Sequence, residues 1–282
     1  MNNCNPLALS AEIKEVEQSP IPVFIISYNR TQMLQRCVAS IEALDTSLKL
    51  IIYDNGSDRE DTLNALDHFE RRGISVHRSS RINSPEDLNL MADFIQDHCS
   101  AMGPATPYIV TDSDIDLSSC RKDIVKVLQH MLAHFPKAEC AGPMLRISDV
   151  PREHPVWAHI YNRHIDQFWH KLPSFVNLPS GLVAFQRAHI DTTFALHRGG
   201  LRFYRPRLGI RVYKPYEALH LDWYPRCWEI EYSHSSSAMI SHWSNPRYIQ
   251  EHQTEKLAHN QYYDVIYDEK VNVFTVVDVE LE

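Results

Sequence analysis

The chain has no CxxC pair, no long apolar run and no basic leader, and each absence removes a class of protein. Its six cysteines, Cys4, Cys37, Cys99, Cys120, Cys140 and Cys227, are scattered. That spacing argues against a disulfide framework or a structural zinc site and fits reduced thiols in a cytosolic compartment. No stretch of ~18 apolar residues is available to span a bilayer. Residues 1–18 lack the basic region and apolar run of a signal peptide. Excess positive charge is missing too: the formal net charge is −8, which does not suit wholesale nucleic-acid binding. There is no repeat, low-complexity tract or long linker, which favours an extension of one domain over a separate second one.

What is present is ordinary globular composition, 44% apolar and 23% charged over 282 residues. That length can bury a sizeable core. Residues 1–19 read as a polar leader, 20–140 as one half and 141–282 as a second half with a C-terminal extension. Strand-like apolar runs at 20–27, 48–53, 74–77 and 108–110 alternate with helical patterns. Met33, Leu34, Cys37, Val38, Ile41 and Leu44 share one helical face; Leu63, Leu66 and Phe69 share another. Ser84 and Pro85 suit a helix start, and Ile124 to Phe135 carries the next apolar stripe. Alternating strands and helices predict a three-layer α/β/α sandwich on a mainly parallel sheet. Ligands then sit beyond the carboxyl ends of the strands.

Those ends are polar: Ser27-Tyr-Asn-Arg30, Asp54-Asn-Gly-Ser-Asp58 and Asp112-Ser-Asp-Ile-Asp116. Alternation along an extended segment would bring Asp112, Asp114 and Asp116 to one side. Like charges held together call for neutralisation, and oxygen ligands suit Mg²⁺ or Mn²⁺. A solvated acidic turn capping a helix near Ser119 would use the same residues. In the second half, 149–175 is rich in aromatics and histidine, and Gly181-Leu-Val-Ala-Phe185 reads as a strand. Arg202, Arg205, Arg207, Arg211 and Lys214 form a basic run. It suits either a solvated face or the seat of a phosphorylated or lipid-linked acceptor. Residues 271–281 alternate as a half-buried strand with odd positions inward.

Pro22-Val-Phe-Ile-Ile-Ser-Tyr-Asn-Arg30, Ile51-Ile-Tyr-Asp-Asn-Gly-Ser-Asp58 and Tyr108-Ile-Val-Thr-Asp-Ser-Asp114 together resemble the strand ends of a GT-A-fold, family-2-like glycosyltransferase. The match spans roughly residues 20–120, in order, with a helix between motifs; Gly181 to Arg187 follows it more loosely. Two features depart from the pattern. The second strand ends Tyr-Asp-Asn-Gly-Ser rather than in paired acids. A Gln-x-x-Arg-Trp motif is missing, which speaks for addition of a single sugar over processive synthesis.

The resemblance implies a Rossmann-like GT-A fold and transfer from a nucleotide-sugar, of uridine type, to an acceptor hydroxyl. The transferred group would be hexosyl or N-acetylhexosaminyl, and the setting cell-surface polysaccharide or glycoconjugate synthesis. It implies a divalent metal, Mn²⁺ or Mg²⁺, on Asp112 and Asp114, with Asp112 also able to face the ribose. A late histidine would complete that site, His242 or else His234. Ser27, Asn29, Arg30, Asp54, Asn55 and Ser57 would line the nucleoside. Asp54 and Asp58 would equally serve as turn or helix caps. The base for an inverting transfer would be Asp222, with Glu217 second, and Trp223 and Tyr224 would offer a sugar platform or pack in the core. Lys214 would hold the Glu217 pKa down, while partial burial would raise that of Asp222. Expected partners are the nucleotide-sugar and a glycan or lipid-linked glycan acceptor, with no nucleic acid. The expected location is the cytoplasm, compatible with peripheral contact at the inner face of a membrane. Two rival readings share the acidic pair and the sheet. A sugar-nucleotide nucleotidyltransferase would want a Gly-rich loop and lysine where this chain has Ser-Tyr-Asn-Arg, and a non-catalytic carbohydrate-binding protein would not need the intact acids.

Overall fold

Ile21–Ser27 forms β1, and every residue of it but Ile26 is buried. Its side chains divide by alternation. Val23 and Ile25 enter one core with α1 (Thr31–Glu42) and α2 (Glu60–Arg71). Phe24 enters a second core with Met91, Ala92, Ile95 and Cys99 of α3 (Leu88–Met102). A strand covered on both faces must be apolar throughout, and that is the reason for the unbroken run. The three-layer arrangement follows. The computed structural model describes residues 19–80, 88–205, 207–224, 226–227, 243 and 245–281. The helix start expected at Ser84 and Pro85 lies outside them.

β2 (Leu48–Asp54) and β4 (Tyr108–Asp112) flank β1 in parallel, and β3 (Ser75–Arg78) continues the sheet beyond β2. Across β4 the order runs through β9 (Ala195–His197), β6 (Cys140–Leu145), β10 (Arg207–His220), β8 (Gly181–Ile190) and β7 (Ser174–Leu178). Along this path only β8 and β9 run against the rest, as their antiparallel pairings with β7, β10, β4 and β6 require. A short β5 (Ile115–Asp116) pairs with the end of β10. α4 (Ile124–His134) buries Ile124, Val125, Val127, Leu128, Met131 and Leu132 on the first core. α5 (Trp157–His164) and a π-helical turn, Ile165–Trp169, close the second half.

Two sequence expectations change. The basic run does not form one solvated face. Much of it is β10, a strand paired on both sides, with Arg207 and Arg211 buried. The last strand, β12 (Val273–Glu280), pairs only with β11 (Gln261–Asp268) as a separate hairpin. Its odd positions are the inward set only from Val277 on: Val277 and Val279 are half-buried, whereas before them Val273 and Thr275 are exposed and Phe274 and Val276 half-buried. The hairpin packs Tyr262 and Val265 of β11 into the main core, and the inward side of β12 changes where Val276 and Val277, next to one another, are both half-buried. α6 (Pro246–His252) precedes it, capped by Asn245, whose side chain accepts from the backbone N–H groups of Arg247 and Tyr248.

Gly199, just after β9, approaches the α3–β4 connection so closely that a Cβ there would lie 2.0 Å from the Ala105 carbonyl oxygen. Backbone cannot yield as a flexible side chain can. Gly199→Ala is expected to destabilise the fold by about 1–3 kcal/mol, the usual cost of overpacking. Urea unfolding of the two proteins, with unchanged stability as the contrary result, checks it.

Candidate active site

The carboxyl ends of β1, β2, β4 and β10 surround a cavity of about 230 Å³ lined by Ser27, Tyr28, Arg30, Asn55, Asp112, Ser113, Asp114, Arg205, His220 and Trp243. A second cavity of about 250 Å³ shares Asp112, Arg205, His220 and Trp243 with it. The two form one groove. The strand-end convergence expected from the sequence is therefore present.

Within the groove the acids are arranged by turns, not by extended alternation. The chain turns at Ser113 and Asp114 before β5 begins. Asp112 and Asp114 reach the cavity. Asp116 does not: it is buried, ion-paired to Arg36 at 2.5 Å, and accepts from the Ser118 N–H at 2.8 Å. The expected three-carboxylate cluster is thus a pair, because the turn breaks the period of two that would have aligned the third.

Asp112 is held by the loop after β8. Its N–H donates to the Thr192 carbonyl at 2.6 Å, and its Oδ2 accepts from the Thr192 hydroxyl at 2.5 Å. Burial pushes its carboxyl up to about 7, against the opposing charge of Arg205. Asp114 behaves oppositely. Burial would raise it, but the Arg30 guanidinium and His220 outweigh that and hold it near 2. Arg30 donates to Asp114 Oδ2, and the other oxygen, Oδ1, is buried with no hydrogen-bond partner among the described residues. A buried carboxylate oxygen left unpartnered beside a cavity is costly unless a ligand meets it. The residues present therefore fit a hard divalent cation, with two carboxylates from one turn as its protein ligands. His220 adds an imidazole 3.7 Å from Asp114 Oδ2; its ring stacks on Trp223 and its Nδ1 has no partner. His242 and His234, the imidazoles expected at this site, lie outside the described residues.

The nucleoside residues divide. Ser27, Arg30 and Asn55 line the cavity. Asn29, Asp54 and Ser57 do not, and build the loops that carry the others. Asn29, at φ 48°, donates to Asp58 at 2.7 Å and accepts from the N–H groups of Asp58 and Arg59 at 3.0 and 3.1 Å. Asn is one of the few residues that tolerates this left-handed backbone. Ser57 Oγ accepts from the Asn29 N–H at 2.9 Å and donates to Asp54 at 2.5 Å. Asp54 also accepts from the Ser57 N–H, and its carboxyl is raised by burial, which those bonds only partly offset. The turn-capping role is what the geometry records for Asp54.

Neither expected base lines either of these two cavities. Asp222 is wholly buried rather than partly so, and its Oδ2 accepts from Arg30 at 2.9 Å. Its carbonyl oxygen meets His154 Nε2 at 3.3 Å. Glu217 is also buried, and burial lifts its carboxyl to about 8 despite Lys214 at 3.8 Å, contrary to the expectation that Lys214 would keep it low. Lys214 is drawn to Asp264 instead, at 2.6 Å. Trp223 lines the second cavity, while Tyr224 turns away to donate to Asp149 at 2.7 Å.

Sequence reasoning missed Asp191, Arg163 and the π-helical Gln167, all of which line the second cavity. Asp191 follows β8 directly and is ion-paired with Arg205, the one available signal being an acid at a strand end. A π turn widens the helix by one residue and re-aims side chains, and no simple sequence period announces it.

Comparison with known proteins gives one family match: the Glycosyl transferase family 2 model covers residues 23–191. A search of curated proteins finds no match. Among solved structures, the chain is similar to a mannosyltransferase from Pyrobaculum calidifontis in complex with GDP-Man and Mn²⁺, at 14% identity, 63% of this chain, 44% of that one and TM-score 0.38. It is similar to S. aureus TarS in complex with UDP-GlcNAc, at 14% identity, 45% of this chain, 35% of that one and TM-score 0.34. A third is glucosyl-3-phosphoglycerate synthase from Mycobacterium tuberculosis with Mn²⁺, UDP and glucosyl-3-phosphoglycerate, at 15% identity, 52% of each chain and TM-score 0.29. The aligned part is about half or less of each of those proteins. The α/β/α sandwich is of the GT-A, Rossmann-like type. With its strand ends gathered on an acidic pair and more than half its length matched, the chain belongs to glycosyl transferase family 2.

Proposed function

We propose that the protein transfers a hexosyl or N-acetylhexosaminyl group from a nucleotide-sugar to an acceptor hydroxyl, with inversion, in the making of a cell-surface polysaccharide or glycoconjugate. The observation that supports this is the meeting of Asp112 and Asp114 with Arg30, Arg205 and His220 in one groove at the carboxyl ends of parallel strands. The reaction must neutralise a leaving diphosphate, take a proton from the acceptor and hold both partners in line.

Asp112 and Asp114 would hold Mn²⁺ or Mg²⁺, with His220 as a third donor; the bound cation supplies charge neutralisation for the diphosphate. Arg30 keeps Asp114 ionised, and Arg205 sets a cation at the junction of the two cavities. Ser27, Tyr28 and Asn55 would meet the nucleoside, taken here as uridine. The glycan or lipid-linked glycan acceptor would enter the second cavity, whose lining includes the buried Trp223 and Trp243. The proton acceptor must face that cavity. Among the described residues its lining carboxylates are Asp112 and Asp191, and with Asp112 assigned to the cation, Asp191 is the base. Asp222 becomes a positioning residue that fixes Arg30. Among the described residues no helix is long and apolar enough to cross a membrane. We assign the reaction to the cytoplasm, at the inner membrane face when the acceptor is lipid-linked.

Removal of divalent metal with EDTA should abolish transfer from a UDP-sugar, and Asp114→Asn should remove most activity; full turnover in EDTA overturns the metal assignment. Calorimetry with Mg²⁺ present should find UDP binding more tightly than GDP or ADP, and equal affinities would remove the base preference.

Asp191→Asn should lower kcat by ~10²-fold or more, the usual scale of base catalysis, with UDP affinity little changed. Asp222→Asn should instead lower Tm, since it takes the charge from one of the two carboxylates that hold the Arg30 guanidinium. A loss of kcat in Asp222→Asn at unchanged Tm, with Asp191→Asn active, would return the base role to Asp222.

A further inference from the structure

The second cavity has more positive charge than its own carboxylates answer. Of the basic run, Arg202 is paired with Asp93, Arg207 with Glu139 and Lys214 with Asp264. Arg205 shares Asp191. Arg211 is different. It is 2% exposed, lines the cavity, lies 4.6 Å from the Phe168 ring centre, and among the described residues bonds only neutral oxygens: the carbonyls of His189 at 3.1 Å and Pro143 at 2.8 Å, and the Thr193 hydroxyl at 3.2 Å. Burial lowers its pKa to about 10, an effect that the nearby Cys140 and Asp191 only partly oppose. Arg163 faces the same cavity from α5, exposed, with its guanidinium 5.5 Å from the Trp243 ring centre and no carboxylate partner among the described residues. His164, next to it, is kept neutral by burial and accepts no charge-balancing role.

A buried guanidinium held by carbonyls pays its desolvation only when an anion arrives. Two planar forks lining one cavity suit a tetrahedral oxyanion with several acceptor oxygens. We propose that the second cavity is an anion subsite in which Arg163 and Arg211 clamp a phosphoryl group carried by the acceptor. This rests on the sugar-transfer reading for the word acceptor, but the subsite itself stands on the arginines. The anion is distinct from the donor diphosphate, which belongs to the Asp112 and Asp114 end of the groove. A soluble phosphate monoester and a lipid-borne phosphate share the chemistry that this clamp would read.

The test titrates the full chain with glucose 6-phosphate and with glucose, each with and without saturating UDP and Mg²⁺. Flotation with phosphatidylcholine vesicles carrying phosphatidic acid forms a parallel arm. Glucose 6-phosphate should bind both forms, and glucose neither. Arg163→Gln, an exposed position that should fold, is expected to weaken that binding about tenfold, the value of one charge-assisted hydrogen bond. Arg211→Lys, which keeps the charge and loses the fork, should weaken it too. Binding by vesicles alone, lost in Arg163→Gln, supports a lipid-borne phosphate. The proposal is overturned if neither probe binds, if both variants bind as the wild type does, or if UDP displaces the sugar phosphate. Failure of UDP to bind while glucose 6-phosphate still does would overturn the donor reading and leave the subsite standing.

Discussion

One guanidinium holds two distant carboxylates. Arg30, at the turn from β1 into α1, donates to Asp114 of the β4–β5 turn and to Asp222 of the turn after β10. All three groups are largely removed from water, with side-chain exposures of 12%, 3% and 0%. In such surroundings the pairing is strong, and loss of Arg30 would leave two buried carboxylates without the cation that they share. The link also crosses the chain, joining the first strand to residues 84 and 192 positions later. The acidic turn, the nucleotide half and the end of β10 therefore take up one relative position.

From that constraint the character of the groove follows. With one oxygen of Asp114 on Arg30, the other is left for a ligand. Asp112, held by Thr192 and without such a guanidinium bond, is instead pushed toward the neutral form by burial. The two acids, two residues apart in sequence, thus sit in opposite electrostatic states. A cation between them would bring both to the ionised form, since a nearby positive charge lowers a carboxyl pKa. At the other end of the groove the balance is inverted, with Arg163, Arg205 and Arg211 against Asp191. One cleft presents an acidic seat and a basic seat in succession, an arrangement suited to two substrates of different charge.

Much of this was legible in the sequence. The buried run of β1, the amphipathic stripes of α1, α2 and α4, and the polar residues at the ends of β1, β2 and β4 all come from local periodicity. Such periodicity reflects which face of an element meets the core, and neighbours in sequence suffice to read it. Asp112 and Asp114 were found because an apolar strand leads directly into them. The family's motifs are likewise contiguous, and their order and spacing survive without knowledge of the fold.

The tertiary structure alone decided how polar residues divide between building the site and facing it. Asn29, Asp54 and Ser57 are spent on loop hydrogen bonds, while Tyr28 and Asn55, their neighbours, reach the cavity. Asp222 is the buried partner of Arg30, and Asp191 the acid at the second cavity. The basic run divides in the same way, with three of its cations paired elsewhere and Arg211 left among carbonyls. Charge and residue type are the same in each case. What differs is the partner that long-range packing brings within hydrogen-bond distance, and that partner lies up to 192 positions away along the chain.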